Sequence, residues 1–240
     1  MKISTRGLRG RWLFFTDLVR YHLAETAHKI PIRSLYPIYR ERFAEAGDLG
    51  AYFHQDLWAA RKIFAVRPAR HVDVGSRVDG FVGHCLTFMD IEVVDIRAMT
   101  HPPRGMIFRR ADAEHMTGFA DNSIPSLSSL NAAEHFGLGR YGDKIDPDGH
   151  VTFMKSLQRV LAPGGRLYFS VPVSDDERVE FNAHRVLSPT TVTKAFDQLS
   201  LLSFSCIKDD GLLAEDVGLS AVTNQRAGCG LFEFTKDAAL

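Results

Sequence analysis

Three acids in this chain stand where apolar runs stop. Asp73 lies near the end of the run from Arg70 to Val74, and Gly75 breaks the run just beyond it. Asp95 closes a second run, Ile91 to Ile96, and Asp112 sits in the short stretch Arg110-Ala-Asp-Ala113 that follows a third. Between the first two runs, Asp79-Gly80 and Gly83 open a segment with helix-compatible spacing. Strand, glycine turn, helix, strand, terminal acid is the layout of a nucleotide-type pocket at the carboxyl edge of a parallel sheet. A small-molecule cofactor is therefore the first chemical expectation.

The glycine pattern narrows the cofactor. A dinucleotide site needs Gly-x-Gly-x-x-Gly, because two phosphates lie against bare backbone at a helix start. Here the turn reads Gly75-Ser-Arg-Val-Asp-Gly80-Phe-Val-Gly83, with the second glycine displaced and an acid where a pyrophosphate would approach. That pattern disfavours nicotinamide and flavin dinucleotides. A cofactor with a cationic centre and an amino-acid part suits Asp73 and Asp79 better, which points to S-adenosylmethionine. Asp79 has a second reading, as the N-cap of the helix that Gly80 begins.

Further along, Glu134-His135 follows the apolar run 125–130, and a glycine-punctuated loop, Gly137 to His150, follows the pair. A neutral imidazole is suited to taking a proton from a hydroxyl, so His135 is the candidate base, with Glu134 orienting it or helping to hold a metal. The plainer alternative packs His135 against the sheet and lets Glu134 cap a turn. In the loop, Arg140 and Tyr141 are candidates for gripping a substrate, since long loops of this kind carry recognition. Asn182, His184 and Arg185 gather polar groups after the fifth strand, where a substrate lip belongs; a surface salt-bridge patch with Asp175, Asp176 and Glu177 is the alternative. Asp146-Pro-Asp-Gly149 hints at a calcium loop, but aligning Gly149 to its sixth position puts Lys144 and Lys155 where carboxylates are required. No metal is expected. Hydrolase, kinase and structural-zinc motifs are absent.

These elements need a scaffold. The 240 residues, 45% hydrophobic and 24% charged, suffice for one α/β domain with an extension. Strands are predicted at 70–74, 91–96, 106–109, 125–130, 166–172, 201–206 and 229–235. Helices are predicted at 80–88, 113–118, 150–161 and 189–199. Such alternation implies right-handed crossovers and a mostly parallel sheet. No helix separates the last two runs, so an antiparallel edge is expected there. Two helical segments precede the first strand: 11–30, carrying Leu13, Phe14, Leu18, Tyr21 and Leu23, and Tyr52 to Phe64, with Leu57, Ala60, Ile63 and Phe64 as its buried stripe. The domain reading is a helical cover at 1–65 and a body at 66–240, with Tyr52, His54 and Trp58 placed to close over the cofactor.

Net charge is zero, with 29 Lys+Arg against 29 Asp+Glu, so nothing overall argues for nucleic acid. The distribution is uneven: residues 1–70 hold thirteen Lys+Arg against six Asp+Glu. That basic segment docks either on the acidic body or on an anionic surface. Cys85, Cys206 and Cys229 are far apart and read as buried thiols of a reducing compartment. No run approaches the length of a bilayer span, so a cytoplasmic protein without a membrane partner is expected.

Three segments carry a resemblance. Phe119-Ala-Asp-Asn-Ser-Ile-Pro-Ser-Leu-Ser-Ser-Leu130 looks like the F-x-D-x-S-F-D lead into the fourth strand of class I S-adenosylmethionine-dependent methyltransferases. Leu157-Gln-Arg-Val-Leu-Ala-Pro-Gly-Gly-Arg-Leu-Tyr-Phe-Ser170 resembles their RVLKPGG turn and fifth strand, and Arg110 to Ala113 resembles their acid-containing turn after the third. The whole-chain pattern, with Gly137-Leu-Gly-Arg-Tyr-Gly142, is similar to a branch of that superfamily known only as a domain of unknown function. The resemblance implies a Rossmann-like methyltransferase sheet. In it, Asp73 and Gly75 flank the methionine part of the cofactor with the backbone of Ser76 and Arg77 alongside. Asp79 and Gly80 continue that turn, Asp95 with Ile96 takes the ribose, and Asp112 with the Ala113 N–H meets the adenine. Arg77 replaces a glycine of the family pattern. The implied activity is methyl transfer to a small hydroxylated acceptor, at oxygen. A non-catalytic binding module of the same fold and a nucleic-acid methyltransferase are the alternatives.

Overall fold

The computed structural model describes residues 5–24, 30–44, 46–47 and 49–238. They form two compact units, Met1–Asp48 and Leu49–Leu240. The first holds helix α1 (Thr5–Leu23) followed by short 3₁₀ turns at Ile32–Ser34 and Glu41–Phe43. Residues 25–29 of the predicted helix 11–30 lie outside the described residues.

The second unit begins with α2 (Ala51–Val66), so the helix grouped by sequence with the N-terminal cover packs as part of the sheet body. The rest, in chain order, is β1 (Val72–Val74), β2 (Ile91–Asp95), β3 (Met106–Arg110), β4 (Ile124–Leu130), α4 (Gly149–Val160), β5 (Leu161–Val173), β6 (Arg178–Glu180), β7 (His184–Val186), α5 (Pro189–Ala195), β8 (Leu199–Ile207), β9 (Leu213–Ala214) and β10 (Gly228–Lys236), with the one-turn α3 (Gly83–Cys85) between β1 and β2. Eight strands make one sheet in the order β3-β2-β1-β4-β5-β10-β8-β9. The strands β3, β2, β1, β4 and β5 run parallel, as the strand–helix alternation implies. Chain order reverses direction between β1 and β4, which leaves a crevice beyond their carboxyl ends.

The antiparallel element is the last strand. β10 pairs antiparallel with both β5 and β8 and so lies between them, leaving β8 and β9 at the edge. The reason lies in its sequence: Cys229 to Phe234 is a near-continuous apolar run, buried on both faces, which is the signature of an interior strand.

Two apolar layers sandwich the sheet. On one face Phe153, Met154 and Leu157 of α4 and Val192 of α5 pack on Val72, Val74, Leu127, Phe169 and Val171. On the other, Trp58, Ala59 and Ile63 of α2 with Phe81 and Cys85 pack on Ile91, Val93, Tyr168 and Leu231. The odd–even split along each strand is the period of two that a sheet imposes. The three cysteines are free and buried, as expected.

Several local expectations are corrected. Residues 113–118 are turns rather than a short helix, because Met116 and Gly118 both take positive φ. The helix predicted at 80–88 is a π-type turn, Val78–Val82, running into α3. The Pro163-Gly-Gly165 segment bulges out of the β4–β5 pairing, where Ile124 meets Leu161 and Ser126 meets Arg166. The buried face of α2 is also rotated from the one read by hydrophobicity. Gln55 and Asp56 point inward, whereas Phe64 is exposed.

That polar inward pair has a job. Asp56 accepts from Gln55 Nε2 at 3.1 Å, and Gln55 Oε1 accepts from Ser170 Oγ at 2.8 Å. Burial holds the Asp56 carboxyl above the usual carboxylate range. A carboxylate carried by α2, rather than Asp79, therefore lies against the start of the segment after β1. It approaches so closely that a Cβ on Gly80 would lie 2.0 Å from Asp56 Oδ2. Gly80→Ala should accordingly destabilise the fold by about 1–3 kcal/mol through overpacking. Thermal unfolding of the variant checks this, and an unchanged melting temperature would contradict the contact.

Candidate functional site

The site starts from a buried chain of polar side chains beneath the crevice. Asp73, on β1, is fully buried and accepts from Ser76 Oγ at 2.6 Å, from the Ser76 N–H at 3.2 Å and from Ser128 Oγ at 2.5 Å. Burial raises its pKa to about 6 against the opposing pull of those hydrogen bonds. Because the Ser128 hydroxyl donates to the carboxylate, its oxygen is left to accept from His71 Nε2, 2.9 Å away. The Nδ1 atom of His71 then accepts from Ser126 Oγ at 2.7 Å. Burial keeps this imidazole neutral, with its pKa lowered to about 3. Serines 126 and 128 on a central strand are explained by this chain. Ser76 Oγ in turn accepts from the Leu130 N–H at 2.9 Å, which ties the turn after β1 to the end of β4. Asp73 and Ser76 thus stand behind the pocket wall and brace it, rather than lining it.

The pocket above is a cavity of about 410 Å³, within the range of small-molecule sites. Among its walls are Gly75, Arg77, Asp95, Ile96, Asp112, Ala113, Glu134, His135, Arg140, Tyr141 and His184, all expected from sequence. Gly75 takes φ +73°, and its N–H donates to the Val94 carbonyl at 3.0 Å, so the first residue of the turn stays tied to β2. Arg77 stands at the glycine position of the family pattern with an ordinary φ of −68°. Its guanidinium lies 4.7 Å from the Tyr52 ring centre and forks onto the exposed carboxylate of Asp79, at 2.9 and 3.1 Å. Asp79 is thereby held below the usual carboxylate range by Arg77. It neither lines the pocket nor caps the helix. Gly80 is likewise outside the pocket, filled by the approach of Asp56.

Asp95 is 8% exposed, and both its oxygens face Arg97. Oδ1 accepts from the Arg97 N–H at 2.8 Å and from Nε at 2.9 Å, and Oδ2 accepts from a terminal nitrogen at 2.6 Å. A carboxylate oxygen has two lone pairs, so Oδ2 keeps one acceptor site. Two ribose hydroxyls fit this carboxylate only if the Arg97 fork gives way. Asp112 Oδ1 accepts from the Glu114 N–H at 3.0 Å. Ile96, Ala113 and Val94 supply apolar surface around it.

At the far side, a 3₁₀ turn at Ala133–His135 presents the acid and the imidazole. The Ala183 carbonyl accepts from His135 Nδ1 at 2.7 Å. A carbonyl cannot donate, so Nδ1 carries the proton and Nε2 keeps its lone pair. Burial lowers the His135 pKa to about 4. Glu134 is buried; Oε1 lies 3.7 Å from His135 Nε2, and Oε2 has no hydrogen-bond partner among the described residues. Burial lifts its pKa to about 8. An unpartnered buried carboxyl oxygen on a cavity wall is a place where a ligand completes the bonding.

The hairpin β6–β7 positions the Ala183 carbonyl, which also accepts from Arg140 at 2.7 Å. Tyr141 packs edge-on against His135 at 5.5 Å, with the Arg97 and Arg140 guanidinium groups 5.0 and 5.3 Å from its ring centre. The loop is organised by Asp143, which accepts from the N–H groups of Gly137, Gly139 and Tyr141. Arg185 is the clearest correction. It is buried and donates to the carbonyls of Phe136 at 2.6 Å, Pro147 at 3.1 Å, Glu134 at 3.3 Å and Asp146 at 3.4 Å. Four backbone acceptors consume the guanidinium, so it stitches the loop and does not reach a substrate. Asn182 is exposed in the hairpin turn and outside the pocket, and His184 faces Glu180 at 3.5 Å rather than the acids at 175–177.

Sequence reading missed Arg97, Asn131 and Asp143. Asn131 follows β4 with φ +49°, and its backbone N–H donates to Ser170 Oγ at 3.0 Å. Its position one residue past a strand end was the available signal. Tyr52 lines the pocket, while Trp58 is core beside Tyr168.

The comparisons with known proteins bear on the fold. Residues 113–211, less than half of the chain, match the family described as Caenorhabditis protein of unknown function, DUF268. No curated protein matches the sequence. Among solved structures, the 1,6-didemethyltoxoflavin-N1-methyltransferase of Burkholderia thailandensis, with bound 1,6-didemethyltoxoflavin and S-adenosylhomocysteine, aligns at TM-score 0.55 and 14% identity over 99% of this chain and 92% of its own. The N-methyltransferase NodS of Bradyrhizobium japonicum, in complex with S-adenosylhomocysteine, aligns at 0.51 and 13% over 93% and 98%. The [4+2]-cyclase SpnF aligns at 0.53 and 10% over 99% and 98%. The resemblance read in the sequence holds at the level of fold: the chain has the Rossmann-like architecture of the class I methyltransferases, with a match to an uncharacterised family.

The Glu134 carboxyl gives a test of the site's electrostatics. Its folded pKa, about 8, lies above its ordinary value of 4.5, so the native state holds the extra proton between those values. Stability is then lost as pH rises through that window. Glu134→Gln mimics the protonated form, so its stability relative to the parent protein should increase from pH 5 to pH 8. Denaturant unfolding at several pH values measures the difference, and a constant difference would contradict the assignment.

Proposed function

We propose that this chain is an S-adenosylmethionine-dependent methyltransferase acting at oxygen on a small hydroxylated acceptor. The observation that carries the reading is convergence. The Gly75 turn, Asp95, Asp112 and the Glu134–His135 pair come from four separate strand ends and meet on one cavity at the point where the sheet reverses direction.

The residues present fit the cofactor. Asp95 would hold the ribose hydroxyls once Arg97 turns away, and Ile96 and Ala113 would flank the adenine, with the free oxygen of Asp112 for its amino group. The Gly75 turn would take the methionine part, held in place from behind by Asp73 and Ser76. Arg77 would pair with the methionine carboxylate, which gives the departure from the family's glycine a use. When bound, the cofactor supplies an electrophilic methyl group on a sulfonium centre; the protein's task is then alignment.

The acceptor side is built from Nε2 of His135 and the cationic rim. With Nδ1–H fixed on Ala183, Nε2 is the atom free to take the hydroxyl proton, and Glu134, 3.7 Å away, stabilises the imidazolium that forms once the positive charge of a bound sulfonium has drawn off the proton that burial otherwise retains to about pH 8. Arg140 and Tyr141 border the same space and favour a hydroxyl-rich or anionic acceptor. Arg185 has no part in choosing the acceptor, since that side chain is spent on backbone carbonyls.

One observation favours a second reading, a binding module without transfer: the Asp95 carboxylate is engaged by Arg97. Calorimetry with S-adenosylhomocysteine, combined with turnover on candidate acceptors, separates the two. Asp95→Asn should weaken binding about tenfold or more, the loss expected for a charge-assisted pair. His135→Ala should leave binding within a few-fold and lower turnover at least about a hundredfold. No heat of binding in the parent protein would end the cofactor reading, and binding lost with turnover per bound cofactor intact in His135→Ala would remove the base assignment.

A further inference from the structure

Helix α1 carries two apolar faces, and its own unit uses one of them. On the inner face Gly10 meets the Tyr39 backbone, where a Cβ would lie 1.8 Å from the carbonyl oxygen, and Phe14 packs edge-on against Tyr39 at 5.7 Å. Asp17, the only acid in the helix, is on this side and is paired with Arg42 at 2.6 Å. The outer face carries Leu8, Trp12, Phe15, Val19 and Leu23, spaced four, three, four and four residues apart, which is one continuous stripe of an α-helix. All five are exposed, Trp12 by 65% and Leu23 by 79%.

Basic residues border the stripe on both sides. Taking the helical step, Arg9 and Arg20 fall along one margin, Arg20 also lying 3.6 Å from Asp17 of the inner face, and Arg11 and His22 fall along the other; no acid of the helix falls on the stripe. Arg9 and Arg11 are exposed and lie 5.5 Å from the ring centres of Phe43 and Tyr39, so their positions beside the stripe are supported from below. The unit as a whole has nine Lys+Arg against five Asp+Glu. A wide aromatic and aliphatic strip flanked by arginines, low in overall hydrophobicity, is the pattern of a helix that lies in a membrane interface. The guanidinium groups stay at the headgroups while the apolar side chains enter the acyl boundary. No helix among the described residues is long and apolar enough to cross a membrane, which leaves lying on the surface as the mode.

We propose that the outer face of α1 docks the protein on an anionic lipid surface. The occupant is chosen by charge complementarity: a protein partner would need acids facing both arginine margins, whereas an anionic bilayer supplies negative charge everywhere along them. This departs from the expectation of no membrane partner and takes up the alternative that the basic N-terminal segment docks on an anionic surface. It is independent of the methyltransferase reading, since none of its residues lines the cofactor cavity.

The test uses the full chain and vesicles of phosphatidylcholine with phosphatidylserine, against vesicles of phosphatidylcholine alone. Co-sedimentation should favour the anionic vesicles and weaken as salt is raised. Trp12 emission should shift to the blue on binding, while Trp58, already buried, reports little. Trp12→Asp with Phe15→Asp replaces two exposed side chains, so circular dichroism and homocysteine-cofactor affinity should be unchanged while partition to anionic vesicles falls at least about tenfold. Absence of sedimentation, equal binding to both vesicle types, or full binding by the double variant overturns the proposal. So does a Trp12 already shielded from acrylamide in the free chain, which would show the face covered by the rest of the chain or by a second copy.

Discussion

The pocket depends on one buried carboxylate. Asp73 fixes Ser76 on its own turn and Ser128 on the neighbouring strand, and through Ser76 it reaches the backbone of Leu130. Those bonds hold the ends of β1 and β4 together at the point where the sheet changes direction, and the glycine turn and the Glu134–His135 pair both issue from those ends. A fully buried acid is expensive to keep ionised, which is why its pKa rises even with three donors aimed at it. The neutral His71 behind Ser128 extends the chain without adding a charge, so the hydroxyl directions are set from one end to the other. Loss of any link leaves a buried polar atom unpaired and loosens the wall on which a ligand would rest.

Above that brace, the cavity holds charges in competition. Asp95 is captured by Arg97, Arg77 by Asp79, and Arg140 by the Ala183 carbonyl. Arg77, Arg97 and Arg140 are side chains at the rim, and a bidentate fork near solvent is weaker than the same pair in a dry site. Exchange of such partners for those of a ligand is therefore inexpensive compared with building a charge-free pocket. Glu134 differs, because one of its oxygens has no hydrogen-bond partner among the described residues and its proton is retained to about pH 8. A cation placed beside it would draw the proton off, coupling ligand charge to the protonation state next to His135.

Strand-end residues were legible in the sequence because a parallel sheet delivers every strand's carboxyl end to one edge. Gly75, Asp95, Asp112, Glu134 and His135 needed only their positions after apolar runs to be placed together. Residues recruited for charge alone were not legible. Arg185 reads identically whether it clamps an anion or four carbonyls, and Asp79 reads as a cap until Asp56 is seen arriving from α2. That helix was assigned to the cover because its apolar spacing was followed and its inward polar pair was not. The position of β10 inside the sheet was implicit in its unbroken apolar run, yet pairing order between strands of similar composition is set by packing across the whole sheet.

The central claim is that the Asp95 carboxylate passes from Arg97 to a ribose. A crystal structure of the protein grown with S-adenosylhomocysteine tests it most directly. The account predicts density in the crevice beyond Val74 and Val94, both ribose hydroxyls on Asp95, and the Arg97 guanidinium displaced from it. An intact Asp95–Arg97 fork with no nucleoside density at a saturating concentration of that compound would contradict it.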